Sequence, residues 1–160
     1  MPARITDCPL AKAAQFIGDW PTLELLHEMF DGYVHIEELR ANLRVEPDVL
    51  TARLAGLVAR GVVELETGSQ DRYVPTPLGR SLRPVLLVLA AWGNRELDPE
   101  ERGMILVDSH TGQEVEPVLV DRVSGARVDT DRHVFMPGPV ASDAMLTRFG
   151  QQRGRLGDGA

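Results

Sequence analysis

The stretch Pro47-Asp-Val-Leu-Thr-Ala-Arg-Leu-Ala-Gly-Leu-Val-Ala-Arg60 decides the fold. Its apolar residues Val49, Leu50, Leu54, Leu57 and Val58 recur at spacings of three and four, the period of a helix with one buried stripe. Pro47 suits a first turn, Asp48 favours the positive end of the helix dipole, and Gly61 stands where a helix needs a left-handed exit. The opposite face carries Asp48, Thr51, Ala52, Arg53 and Ala55, side chains small, polar or basic enough to approach base edges and phosphates. Taken alone, this helix reads equally as one that enters a nucleic-acid groove or as an ordinary amphipathic helix with a solvated face.

Its neighbours decide between these readings. Upstream, Cys8-Pro9-Leu10 opens a helix with Leu10, Ala13, Ala14, Phe16 and Ile17 on its apolar face, closed by Gly18-Asp19. Pro21 starts a second helix through Phe30, apolar around much of its girth, and Asp31-Gly32 turns into a third on which Tyr33, Ile36, Leu39 and Leu43 are the apolar steps. Arg44-Val45-Glu46 is a turn short enough to set the third and fourth helices at a steep angle. Downstream, Val62 to Glu66 and Arg72 to Val74 read as two strands joined by the polar turn Thr67–Asp71, and residues 78 to 94 read as one long helix. That order is a winged helix-turn-helix: mainly α with a small β wing (α+β), followed by a small β-rich extension.

Here the residues resemble a known family. Cys8-Pro-Leu-Ala, Ile17-Gly-Asp, Glu37-Glu-Leu-Arg, Val49-Leu-Thr-Ala-Arg-Leu, Arg60-Gly-Val-Val-Glu, Tyr73-Val-Pro-Thr-Pro-Leu-Gly-Arg and Leu89-Ala-Ala-Trp-Gly are similar to the HxlR-type winged helix-turn-helix transcriptional regulators, in register over about residues 8 to 95. The resemblance implies a homodimer joined through the opening helix and the helix from 78 to 94. It also implies double-stranded DNA as partner, at a pseudo-palindromic operator with half-sites about one turn apart. Thr51, Arg53, Arg40 and Arg72 match positions expected to touch DNA, and Asp48 is a candidate base-edge acceptor; for Arg40 and Arg72 the alternative is a solvated surface cation. Two departures stand out. Trp20 is displaced by one position before Pro21-Thr22, and the wing is short, with Arg72 its one cation.

Composition is compatible with this but strains it. The 160 residues are 43% hydrophobic and 26% charged, ordinary usage for a domain with a real core, and the formal charge is -7. A DNA binder gains most of its sequence-independent affinity from cations, so an acidic chain needs its acid elsewhere. Residues 1–95 carry ten Lys and Arg against twelve Asp and Glu, and residues 96–160 seven against twelve, so most of the excess lies in the extension. DNA affinity is accordingly expected to be modest and steeply salt-dependent. No apolar run is long enough to span a bilayer and the start lacks an apolar signal core, so a cytoplasmic protein without membrane association is expected.

Cys8 is the only cysteine, which excludes an intrachain disulfide. It has two readings: a thiol sensor, since a helix N-terminus favours thiolate and some family members use this position so, or a small buried hydrophobe. The four histidines have no metal-ligand spacing, and no nucleophile elbow or phosphate loop is present, so no metal, cofactor or catalysis is expected.

The domains expected are 1–95 for DNA binding and dimerisation and 96–160 for the extension. In the latter, Met104–Val107, Val115–Val120 and Arg132–Met136 read as strands of a small meander, and Ala141–Phe149 as an amphipathic helix. Many relatives carry a similar tail with paired Cys-Gly turns; here His110-Thr-Gly and Val123-Ser-Gly stand in their place, so zinc ligands are absent. The meander either frames a pocket for a small-molecule effector, with Trp92, His110, His133 and Phe135 lining it, or only buries surface. The competing function is a winged-helix effector-binding or protein-interaction module that has lost DNA binding, motivated by the acidic charge and weak wing.

Overall fold

Glu46 is extended, the conformation proline favours in the residue before it, and Pro47 opens helix α4 (Pro47–Ala59), the fourth of seven α-helices among the described residues. Leu50, Leu54 and Leu57 turn inward from it, whereas Val49 and Val58 remain 45% and 37% exposed, so the buried stripe is narrower than five apolar positions predict. Gly61 leaves the helix at φ +69. Its N–H donates to the Val58 carbonyl at 2.9 Å and the Val62 N–H to the Leu57 carbonyl at 3.0 Å. These are the paired bonds of a Schellman exit, with buried Leu57 and Val62 as its apolar contact.

The computed structural model describes residues 8–17 and 20–157, with side chains through residue 150 apart from Trp20. The described residues within Asp19–Val118 form one compact unit, and those within Met1–Gly18 and Leu119–Ala160 another. In the first, Leu25, Leu26 and Met29 of α2 (Trp20–Phe30), Leu39 of α3 (Ile36–Leu43), the three leucines of α4, and Val62 and Val63 make the core. Tyr33 lies before α3 rather than on it and is 44% exposed. The backbone there is drawn out for another purpose: the Val34 carbonyl accepts the Tyr73 N–H at 2.8 Å, adding a single rung to the wing.

The wing pairs β1 (Val63–Glu66) antiparallel with β2 (Arg72–Pro75), in the register Val63 to Pro75 and Glu66 to Arg72. Thr76 then ties three pieces together. Its hydroxyl donates to the Gly61 carbonyl at 2.6 Å and lies 3.2 Å from that of Val62, and it accepts the Gly79 N–H at 3.1 Å as the N-cap of α5 (Pro77–Arg80). Gly79 is buried so tightly that a Cβ there would stand 2.1 Å from the Val62 oxygen.

The expected long helix is two: α5 and α6 (Arg83–Gly93), separated at Ser81-Leu82. Pro84, in the first turn of α6, has no N–H to offer the carbonyl four residues back, so the helical bonding is interrupted and restarts.

The extension begins with a 3-10 turn, Pro99–Glu101. The expected meander strands do not form among the described residues; only the isolated bridges Val107–Glu114 and Val120–Arg127 do, and 132–136 has no strand. Each bridge sits beside a tight turn. In each an aspartate carbonyl accepts the glycine N–H four residues on at 2.8 Å, from Gly112 to Asp108 and from Gly125 to Asp121. The carboxylates take up nearby amides as well: Asp108 Oδ1 accepts from His110 and Thr111, and Asp121 Oδ2 from the Ser124 N–H and hydroxyl. Beyond each turn the chain adds two cross-chain backbone bonds, Asp108 to Gln113 and Val115 to Leu106 in the first and Asp121 to Ala126 and Val128 to Leu119 in the second, and one bridge each results. Gly112 and Gly125 both adopt φ +70. The second unit also holds α1 (Pro9–Ile17) and α7 (Asp143–Gly157), which starts two residues into the expected amphipathic piece, runs on past its end and buries Met145. No helix among the described residues is long and apolar enough to cross a membrane.

Candidate nucleic-acid interface

The outer face of α4 is the one the sequence marks. Asp48, Thr51, Ala52 and Ala55 are exposed, and Arg53 is half-buried at the edge. The Thr51 hydroxyl donates to the Pro47 carbonyl at 2.9 Å, which fixes its rotamer and leaves its oxygen lone pairs and methyl group facing outward chemistry. Leucines hold the back of the helix, so this face is presented on a rigid support.

The flanking cations are less available. Arg40 on α3 lies 3.9 Å from Glu37, and Arg72 on the wing 3.2 Å from Glu66. The loop Thr67–Asp71 is exposed throughout, and it is anchored at one end where the Asp71 carbonyl meets His35 Nδ1 at 3.1 Å. All five expected DNA-contacting residues, Arg40, Asp48, Thr51, Arg53 and Arg72, thus belong to one compact unit.

The expected effector and redox residues fall in two different units. Cys8 is half-buried immediately before α1, where its carbonyl accepts the Lys12 N–H at 3.0 Å. Trp92 is 71% exposed on α6, and the His110 side chain is 94% exposed in the Asp108 turn. In the other unit, His133 Nδ1 meets the Thr130 hydroxyl at 2.8 Å and Phe135 is 71% exposed. Among the described residues no group of three His, Cys, Asp or Glu is placed to hold a metal.

A groove that the sequence does not reveal opens between α2, α6 and residues 102–116, with a volume of about 1070 Å³. Leu23, Phe30, Leu86 and Ile105 line it, while Trp92 and His110 do not. The Asn94 amide donates to the Met104 carbonyl at 2.7 Å, which ties the outer wall to the end of α6, and Arg102 pairs with Glu114 at 3.1 Å within that wall. Glu24 faces this space, and burial followed by the nearby Glu28 raises its pKa against the opposing pull of His27. Periodicity could not find the groove because its walls come from distant segments.

The comparisons agree with the geometry. A family described as HxlR-like helix-turn-helix matches residues 16–101. The chain is 30% identical over 135 residues to the uncharacterized HTH-type transcriptional regulator Rv3095 of Mycobacterium tuberculosis, covering 81% of this chain and 85% of that one. Among solved structures it is similar to PA1607, described as a candidate transcription factor, at a TM-score of 0.72 and 29% identity, covering 82% of this chain and 94% of that one. The redox regulator HypR in its oxidized form aligns at a TM-score of 0.53 and 29% identity, over 57% of this chain and 99% of its own.

Proposed function

Because the chain belongs to the HxlR-like helix-turn-helix family of transcriptional regulators, we propose that it is a homodimeric repressor that sets α4 of each protomer into successive major grooves of a pseudo-palindromic operator. The observation that carries this reading is the exposed Asp48, Thr51, Ala52 and Ala55 face on a helix whose other side is locked by Leu50, Leu54 and Leu57. In this reading Thr51, Arg53 and Asp48 meet base edges, and Arg40 and Arg72 meet phosphates. Dimerisation is supported by two helices that bury no residue within the protomer: α1, with Leu10 66% and Phe16 43% exposed, and α6, with Val85 43% and Leu89 45% exposed. Two outward apolar faces on a small protein call for a cover.

In this reading the signal is a thiol-reactive species at Cys8, the similar HypR being a redox regulator, or a small molecule. The groove beside α6 is of a size to hold the latter. A mobility-shift assay against the chain's own upstream DNA tests the core of the reading. Retarded DNA that Arg53→Ala releases supports it, and no retardation by the natural chain at low salt defeats it. The same assay with oxidant, on the natural chain and Cys8→Ser, separates the two signals. One observation favours the rival module that no longer binds DNA: both Arg40 and Arg72 already face carboxylates.

A further inference from the structure

Among the described residues, Arg44 is the one non-glycine with positive φ, at φ 52 and ψ 35. It ends α3, its N–H donating to the Arg40 carbonyl at 3.1 Å, and reverses the chain so that Val45 packs on the core and Glu46 extends into Pro47. An L side chain adopts this conformation against its intrinsic preference, and glycine or asparagine would satisfy the turn with less strain. The side chain gains nothing inside the protein in return. It is exposed, and among the described residues no hydrogen bond or ion pair holds its guanidinium, whereas Arg40 and Arg72 lie beside Glu37 and Glu66.

Its position explains what it is for. A recognition helix meets base edges with its N-terminal turns, so the residues just before it run beside the flanking phosphates. Glu46 and Asp48 are exposed at that end and repel phosphate, and Arg44 is the nearest cation in sequence able to offset them. Resting on the DNA-binding reading above, we infer that Arg44 is a phosphate-clamping residue of the turn, retained at a conformationally unfavourable position because its guanidinium holds the backbone next to the α4 N-terminus.

The test measures binding of the full chain to a random-sequence DNA duplex by fluorescence anisotropy at several salt concentrations, alongside thermal unfolding. Arg44→Gly is expected to raise the melting temperature or leave it unchanged, because it relieves the strain, yet to weaken binding at least roughly tenfold, the scale of one lost charged hydrogen bond. The slope of log affinity against log salt becomes shallower by about one per protomer. Arg44→Lys keeps the slope, and Arg44→Asn, which also tolerates the left-handed conformation, behaves as Arg44→Gly. If the natural chain binds and both uncharged variants bind it equally with the same slope, the assignment to Arg44 is overturned while the regulator reading stands. If the natural chain fails to bind at low salt, both fall.

Discussion

The Arg72 guanidinium lies 3.2 Å from the Glu66 carboxylate, its direct cross-strand partner in the wing register. Both side chains are about half exposed, so solvent screens the pair and its contribution to stability lies within ~1 kcal/mol. Under the proposed function it also matters for DNA, since a cation already facing an anion must be freed before it meets a phosphate. Glu66→Gln is expected to tighten DNA binding and steepen its salt dependence by about one per protomer, with little change in melting temperature. Anisotropy titrations check this; a variant that binds more weakly means Arg72 needs Glu66 to be oriented.

Gly79 cannot carry a side chain. A Cβ would lie 2.1 Å from the Val62 carbonyl oxygen, which already accepts the Thr76 N–H at 3.0 Å, so backbone must move. Gly79→Ala is expected to cost about 1–3 kcal/mol or more, as overpacking does, read as a lower denaturation midpoint at unchanged slope.

Thr51 offers an oxygen lone pair and a methyl group. Thr51→Ala removes both from an exposed position, so stability should move by no more than about 0.5 kcal/mol. Discrimination between an operator and random DNA should fall by about 1–3 kcal/mol if the residue reads a base. Competition binding separates the two; equal loss on both DNAs means that Thr51 meets backbone only.

The Asp121 carboxylate has its pKa lowered, first by the Ser124 hydroxyl, then by the Ser124 and Val123 amides. A lowered folded pKa means that the turn is favoured above the ordinary aspartate range and loses that support as pH falls through the lowered value. Carboxyl NMR should find Asp121 titrating below ordinary aspartates, and Ser124→Ala should shift it back up. No upward shift would mean that the amides alone hold it.

What could be read in the sequence follows from the range of the forces involved. The leucines of α4, the Gly61 exit and the wing were legible because each is set by a few neighbouring residues. Tyr33 misled because its apolar spacing fits a helix, yet the Val34 carbonyl is claimed by Tyr73, from well down the chain. Pro84 was a local signal for the break in the long helix and was outweighed by the apolar run around it. The Asp108 and Asp121 turns were visible as turns, but that pairing beyond them would stop at single bridges was not. Arg44 carries no composition cue for a left-handed residue. The face of α4 was legible, while the pairing of Arg40 and Arg72 with carboxylates needed coordinates.

The Thr76 hydroxyl, shared among the end of α4, the first residues of the wing and the start of α5, makes those parts one mechanical piece. Under the proposed function, a push on α5 would reach α4 with little bending between them, as a swing of the whole head. If the proposed dimer forms, such a molecule would answer a signal by changing the gauge between two stiff heads, as wheels are reset on an axle, and would leave the shape of each head alone.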